Sequence, residues 1–213
     1  MFTIYEAIFI QAIDDEEGNL LEDEVEVLEP VVAGGVLAEL VLLKRIKLEN
    51  GRILILDETS TENAILDKTL SSIQEAGRLR KINYWINTLT FEKLLSDIGQ
   101  CLVEKGALVR KKKKLLLAAP YGEGQNRQVS AKYGLKNRLR EIILEGTAPD
   151  PRELAQLALL YEADLLSLVF TKGERKAASK KIQAMVDSTD PANGLGDALF
   201  EIIAVATRDG GRH

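Results

Sequence analysis

The sequence has one histidine and one cysteine among 213 residues. The histidine, His213, is the last residue, so a histidine general base, a Ser-His-Asp triad and a Cys-His pair are unavailable within the folded body. Because Cys101 is the only thiol, internal disulfides and zinc sites of the His/Cys type are excluded, and a reducing compartment such as the cytosol is expected. We therefore predict a protein that is not an enzyme and that needs neither a metal nor a cofactor.

Long apolar runs are also absent. The longest weakly polar stretch spans residues 30–43 and contains Glu39, whereas a membrane-spanning helix needs about 20 apolar residues. The first six residues carry no positive charge, so they do not resemble a secretory signal. Only five prolines are present, which leaves few places for a flexible linker. We expect one cytoplasmic domain over residues 1–207, a flexible tail at residues 208–213, and at most peripheral contact with a membrane.

Apolar residues recur at helical spacing through most of the chain, which predicts a mainly α fold: a single compact multi-helix domain. Residues 59–62 form a capping-box pattern that would open one helix, with Leu66, Leu70 and Ile73 on its inner face. Asp150 is predicted to cap another helix, with Pro151 in the first helical position. The other predicted helices lie at residues 4–12, 31–45, 81–88, 91–105, 135–143, 174–186 and 195–206.

Two short β-hairpins are predicted between the helices. Asn50-Gly51 separates two β-prone runs at residues 46–48 and 53–56, which is a strong hairpin signal. The second candidate runs from residue 107 to 119, turns around residues 121–124 and returns at residues 128–133. Residues 37–57 and 98–119 also share a layout of a helix followed by strand, turn and strand, as in the second half of a winged helix.

Charge is unevenly distributed along the chain. Residues 1–30 hold ten acidic and no basic residues, whereas residues 105–144 hold eleven basic and two acidic ones. The most basic stretch, here called the basic run, consists of Arg110, Lys111, Lys112, Lys113 and Lys114. It is typical of a lysine-rich edge strand that resists aggregation, of a contact with an anionic membrane or partner, and of a nucleic-acid contact. All three interpretations are open from the residues alone.

Two other features have structural explanations that we favour. Gly34-Gly35 could expose backbone amides to a phosphate, but such a pair more often lets two backbones pack closely. Trp85 and Cys101 lie among apolar neighbours in the sequence and are predicted to be core residues.

With these elements in place, the chain resembles the Golgi phosphoprotein 3 family. Five stretches occur in the family's order: residues 34–46, 65–70, 84–90, 102–108 and 157–160. The resemblance implies a compact, mainly α-helical domain without catalytic activity, whose projecting β-hairpin mediates self-association. Here that hairpin would span about residues 115–133, with Leu115, Leu116, Leu117 and Tyr121 at the interface. Eukaryotic members are peripheral Golgi proteins that bind phosphatidylinositol 4-phosphate and hold the cytoplasmic tails of glycosyltransferases.

The resemblance does not extend to the family's lipid pocket. That pocket is built from a tryptophan and three arginines, and the matching positions here are Glu24, Ala33, Glu92 and Leu95. None of the four residues is kept and two have become acidic, whereas a phosphomonoester needs donors such as arginine forks. We expect the four positions to lie near one another without forming a basic hollow. The lipid specificity is therefore predicted to be lost.

These observations predict a peripheral membrane or adaptor protein whose membrane contact uses the basic run. The chain lacks the long polar extension that precedes the domain in eukaryotic members, which indicates a minimal, prokaryotic relative. The alternative is a winged-helix nucleic-acid-binding regulator with the basic run on its wing. The preceding helix argues against nucleic acid, because Glu92, Asp97 and Glu104 would repel phosphates.

Overall fold

A computed structural model describes residues 2–14, 20, 25–91, 93–111, 114–117, 131–188 and 196–208. The structure is compact and 67% helical, and its described strands form two separate two-stranded antiparallel sheets. The predicted mainly α fold with two short hairpins is confirmed. In chain order the elements are α1 (Ile4–Gln11), α2 (Val25–Leu42), β1 (Ile46–Glu49), β2 (Arg52–Ile55), α3 (Ala64–Glu75), α4 (Ile82–Phe91), α5 (Leu94–Glu104), β3 (Leu108–Lys111), β4 (Lys114–Leu117), α6 (Ala131–Arg140), a π-helical turn (Glu141–Glu145), α7 (Pro151–Glu162), a short 3-10 helix (Leu166–Leu168), α8 (Arg175–Ser188) and α9 (Asp197–Arg208).

The core is organised around α2, which packs against α1, α7 and α9. Every residue from 31 to 40 is buried, as is every residue of α1. Helix α1 therefore has no exposed face, and α2 begins at Val25 and runs through Pro30 instead of starting at residue 31. A helix that is buried on all sides has no polar face, so it lacks the 3.6-residue periodicity on which such predictions depend.

The glycine pair in α2 allows close packing, as predicted. A Cβ on Gly34 would lie 2.6 Å from the Cβ of Ala206 on α9, and a Cβ on Gly35 would lie 3.2 Å from the Cα of Tyr5 on α1. Real Cβ atoms do not approach a neighbour as closely as the first distance, so Gly34 sets the spacing between α2 and α9.

Gly34→Ala is accordingly expected to lower the free energy of unfolding by about 1–3 kcal/mol, because the new methyl group overpacks a rigid contact. Gly134→Ala is the matched control, since nothing lies within 4 Å of the Cβ that it would add. In helix α6 that change should stabilise the protein by about 0.5–1 kcal/mol. Urea unfolding of both variants measures the two effects, and equal shifts would refute the packing argument.

The first hairpin confirms the Asn-Gly signal. Asn50 and Gly51 have φ values of 51° and 70°, and Glu49 pairs with Arg52, so the two-residue loop has the positive φ angles of a type I′ turn. Each end of the two strands lies within one residue of its predicted position.

The second hairpin is shorter than predicted. Leu108 pairs with Leu117 and Lys111 with Lys114, so β3 and β4 both lie within the predicted first strand, and residues 112–113 lie outside the described residues. The predicted return strand at residues 128–133 is wrong at its end, because α6 begins at Ala131 and contains Tyr133. The turn was predicted at residues 121–124 because they contain two glycines. The two lysines between β3 and β4 have no comparable turn preference. Residues 118–130, including Tyr121, lie outside the described residues, as do residues 209–213.

The two predicted helix caps differ in outcome. Asp150 caps α7 in a capping box with Glu153, and Pro151 opens the helix, as predicted. The capping box at residues 59–62 is wrong. Asn63 caps α3 instead, by accepting hydrogen bonds from the N–H groups of Ile65 and Leu66, because the side chain and the N–H of Thr61 donate to Asp67.

Candidate functional site

The segment between α3 and α4 is attached to the outer edge of β2. The N–H of Ile53 donates to the carbonyl oxygen of Arg80 at 3.0 Å, and the N–H of Ile82 donates to that of Gly51 at 3.1 Å. A guanidinium nitrogen of Arg52 also donates to the carbonyl oxygen of Leu79 at 3.0 Å. These bonds fix residues 78–81 on the hairpin and present their side chains at one end of the molecule.

This segment and the start of α4 form what we call the basic face, which consists of Arg78, Leu79, Arg80, Lys81 and Tyr84. Leu79 is 50% exposed and Tyr84 is 41% exposed, so large apolar groups lie among the cations. The guanidinium carbon of Arg80 lies 4.5 Å from the centre of the Tyr84 ring, a cation–π contact. The face therefore combines positive charge, an exposed aliphatic side chain and a surface aromatic ring.

Trp85 is a buried residue next to the basic face. Its side chain is 2% exposed, which confirms the prediction that it belongs to the core. Its ring contacts that of Tyr84 edge to face, with 5.1 Å between the centroids. The Tyr84 ring therefore lies between the Arg80 guanidinium and the buried Trp85 ring and contacts both.

The cations of the basic face are unpaired. Within the part of the chain that the structure describes, Arg78, Arg80 and Lys81 form no ion pair, and the Nε atom of Arg80 is buried without a hydrogen-bond partner. Other arginines behave differently: Arg140, for example, holds Glu174 at 2.6 Å, which lowers the pKa of that carboxyl to about 2. The positive charge of the basic face is therefore available to a ligand.

The basic run, which the sequence singled out, lies at the turn end of the second hairpin. Arg110 and Lys111 end β3, Lys114 begins β4, and residues 112–113 lie outside the described residues. Lys111 and Lys114 are register partners, so these two residues of the basic run lie side by side at the end of the hairpin.

The positions matched to the family's lipid pocket are only partly described. Ala33 lies on α2 with no exposed surface, and Leu95 lies half-buried on α5, which contacts α2. Ala33 therefore cannot contribute to a surface hollow in this chain. Glu24 and Glu92 lie outside the described residues, so the nearness of all four positions stays a prediction.

Two buried carboxylates were missed by the sequence reasoning. Glu39, 1% exposed, accepts hydrogen bonds from Nε of Arg152 at 2.6 Å and from the N–H of Ile4 at 3.1 Å. Glu6, also 1% exposed, accepts one from Nζ of Lys105 at 2.5 Å. A glutamate inside the apolar stretch at residues 30–43 was the visible signal for Glu39. Both groups have a cationic partner and connect helices, so they act as structural braces.

Cys101 is half-buried, not fully buried as the prediction of a core residue implied. Burial raises the pKa of its thiol, so the reactive thiolate is less populated than in a free cysteine. Among the described residues no cluster of three or more His, Cys, Asp or Glu side chains has the arrangement of a metal site.

A comparison with protein families finds that the family model described as Golgi phosphoprotein 3 (GPP34) matches residues 4–204. The match runs from the start of α1 into α9 and so includes both hairpins and the basic face. This family is not known as an enzyme family. In the described ranges no helix combines the length and the apolar character needed to cross a membrane.

Proposed function

Because the chain belongs to the Golgi phosphoprotein 3 family, we propose that it is a non-enzymatic protein that binds anionic membrane surfaces peripherally through its basic face. The observation that carries the proposal is the group of three unpaired cations, Arg78, Arg80 and Lys81, around the exposed side chains of Leu79 and Tyr84. Cations near an anionic bilayer contribute about 1 kcal/mol each. Three of them amount to about a hundredfold in affinity, since a tenfold change corresponds to about 1.4 kcal/mol.

The apolar residues of the face support a membrane over other anionic partners. A tyrosine ring and an exposed leucine beside lysine and arginine suit the boundary between headgroups and acyl chains, where one end of each side chain is apolar and the other is hydrated. The basic run on the β3–β4 hairpin is a second source of attraction to the same kind of surface.

Lipid recognition through this face should depend on charge and not on one headgroup. The wild-type protein is expected to bind phosphatidylcholine vesicles increasingly well as phosphatidylserine is added, and to lose most of that binding between about 0.05 M and about 0.5 M salt. At equal vesicle charge, phosphatidylinositol 4-phosphate should give no advantage, because Ala33 is buried and no arginine occupies the four matched positions. Vesicle co-sedimentation measures both effects. Salt-resistant, headgroup-selective binding would contradict the proposal.

Self-association is a separate proposal that rests on the family resemblance. Leu115, Leu116 and Leu117 lie on β4, paired with β3, while Tyr121 lies outside the described residues. The oligomeric state of the chain therefore stays a prediction, as does the adaptor role.

The nucleic-acid alternative gains no specific support. Helix α5 would be the recognition helix of a winged-helix domain, and it carries Glu104 exposed at its end and Asp97, whose side chain is 42% exposed. These carboxylates would face the phosphates of a duplex, which is unfavourable.

A further inference from the structure

The hydrogen-bond pattern of the first hairpin determines which backbone groups of β2 point outward. The N–H of Leu56 donates to the carbonyl oxygen of Arg45 at 2.7 Å. Hydrogen-bonded and non-hydrogen-bonded pairs alternate along an antiparallel ladder, and Ile55 pairs with Ile46 in the next register position. The N–H and C=O groups of Ile53 and Ile55 therefore point away from β1.

The described residues cover this outer edge of β2 at one end only. Beside Ile53, residues 80–81 run antiparallel to β2, with a bridge between Arg52 and Lys81 and the bond from Ile53 to Arg80. Gly77, with a φ of 62°, lies at the end of α3 where the chain approaches this edge. Across the described ranges no hydrogen bond joins the N–H or C=O of Ile55 to another group.

A hollow lies beside the uncovered end of the edge. Its volume is about 330 Å³, at the lower end of the range of ligand pockets, roughly 300–1,000 Å³. Isoleucine and leucine side chains make up half of its lining residues, and Glu58 and Arg78 lie among them without an ion pair to any described residue. The full lining is Ile53, Ile55, Glu58, Ile73, Gln74, Gly77, Arg78 and Leu79.

We propose that this edge binds an extended peptide from a partner protein, which adds a strand beside β2 at Ile55. A peptide backbone offers an acceptor and a donor at the spacing of one residue, which is what the unpaired N–H and C=O of Ile55 require. Alternate side chains of a strand point to the same face, so the peptide would place an apolar side chain in the hollow. A basic residue of the peptide would lie near Glu58 and an acidic one near Arg78. This inference does not depend on membrane binding.

The proposal can be tested with a random octapeptide phage library panned against the full-length protein. Enriched peptides should carry an apolar residue with charged neighbours, and they are then used as fluorescent probes in anisotropy titrations. Methylating the backbone nitrogens of such a probe one at a time should abolish binding at the one residue whose N–H donates to the C=O of Ile55, and be tolerated at its two neighbours, since only every second N–H of an added strand faces β2 and Ile53 is already paired.

Two matched proline variants locate the site on the protein. Ile55→Pro removes the outward N–H at the proposed position, and Leu48→Pro removes an outward N–H on the opposite edge of the same sheet. Both residues are half-buried against the core, and proline is tolerated on strand edges whose N–H faces solvent. Ile55→Pro should weaken probe binding at least tenfold (~1.4 kcal/mol), whereas Leu48→Pro should leave it within a factor of about two. Glu58→Lys, which leaves the backbone unchanged, should reverse the charge preference of the enriched peptides.

Several results would overturn the proposal. They are a library without enriched sequences, equal binding by Ile55→Pro and the wild type, unchanged charge preference in Glu58→Lys, and tolerance of methylation at every position of the probe. A wild-type dimer that Ile55→Pro converts to monomer would show that a second copy of the chain occupies the edge instead.

Discussion

Arg152→Ala is expected to lower the free energy of unfolding by about 3 kcal/mol, because it leaves the buried carboxylate of Glu39 without its cation. Breaking a buried pair from one side costs about 3–5 kcal/mol. We expect a loss of stability at the lower end of this range, because the Arg152 side chain is 35% exposed and water can partly replace the missing cation. For a chain of this size, about 3 kcal/mol corresponds to a fall in Tm of roughly 6–12 °C. Differential scanning calorimetry measures the shift.

Arg138→Ala is the matched control for this prediction. Arg138 is exposed to a similar degree, 38%, but its partner Glu153 is 19% exposed, whereas Glu39 is 1% exposed. Because water reaches both partners of this pair, the control should lose less stability than Arg152→Ala. In the Arg152→Ala background, Glu39→Gln should recover part of the loss, because the amide oxygen still accepts the N–H of Ile4 and carries no charge. Equal losses in the two arginine variants would show that the burial of Glu39 does not decide the effect.

The buried face of a helix was predicted correctly where the opposite face is exposed. In α3 the buried residues include Leu66, Leu70 and Ile73, as the spacing indicates, and the cap of α7 depends only on neighbouring residues. Residues 31–40 of α2 are buried all around, so periodicity does not show where this helix begins. Helix α1 is also buried throughout, yet it ends within one residue of its predicted bounds. Pro30 adds to the difficulty, because a proline argues for a helix boundary where α2 continues.

Of the two hairpins, only the first was predicted with its turn in the right place. Asn50-Gly51 is a local signal, since these residue types adopt the positive φ angles that the turn needs. Between β3 and β4 the sequence offers only lysines, which have no turn preference, so the antiparallel pairing of these strands has no local signal. Pairing between strands is a tertiary contact, which a single sequence does not reveal.

The basic face illustrates why candidate sites are harder to predict than folds. The cluster Arg78-Leu79-Arg80-Lys81 can be seen in the sequence as easily as the basic run, although it is shorter. Whether a cation is free depends on partners that are remote in sequence: Arg152 pairs with Glu39, 113 residues away, and Lys105 with Glu6, 99 residues away. Composition and spacing cannot tell a paired cation from a free one, so the availability of the basic face could be seen only in the structure.

Reversing two charges of the basic face should abolish most binding to anionic vesicles. The double variant Arg78→Glu/Lys81→Glu removes about 2 kcal/mol of attraction, which is about thirtyfold in affinity, and the new carboxylates add repulsion. Arg80 is kept because it packs on Tyr84, so the fold should be retained. Lys176→Glu/Lys180→Glu is the control: both lysines are exposed on α8, and the change in net charge is identical.

The most direct measurement is therefore co-sedimentation of the wild type and these two double variants with phosphatidylcholine vesicles containing phosphatidylserine. The basic-face variant is expected to bind about thirtyfold more weakly or worse, and the α8 variant within a factor of about three of the wild type. Equal weakening by both variants would mean that net charge alone governs binding, and unchanged binding by the basic-face variant would mean that the membrane contacts another surface; either result contradicts the proposed function.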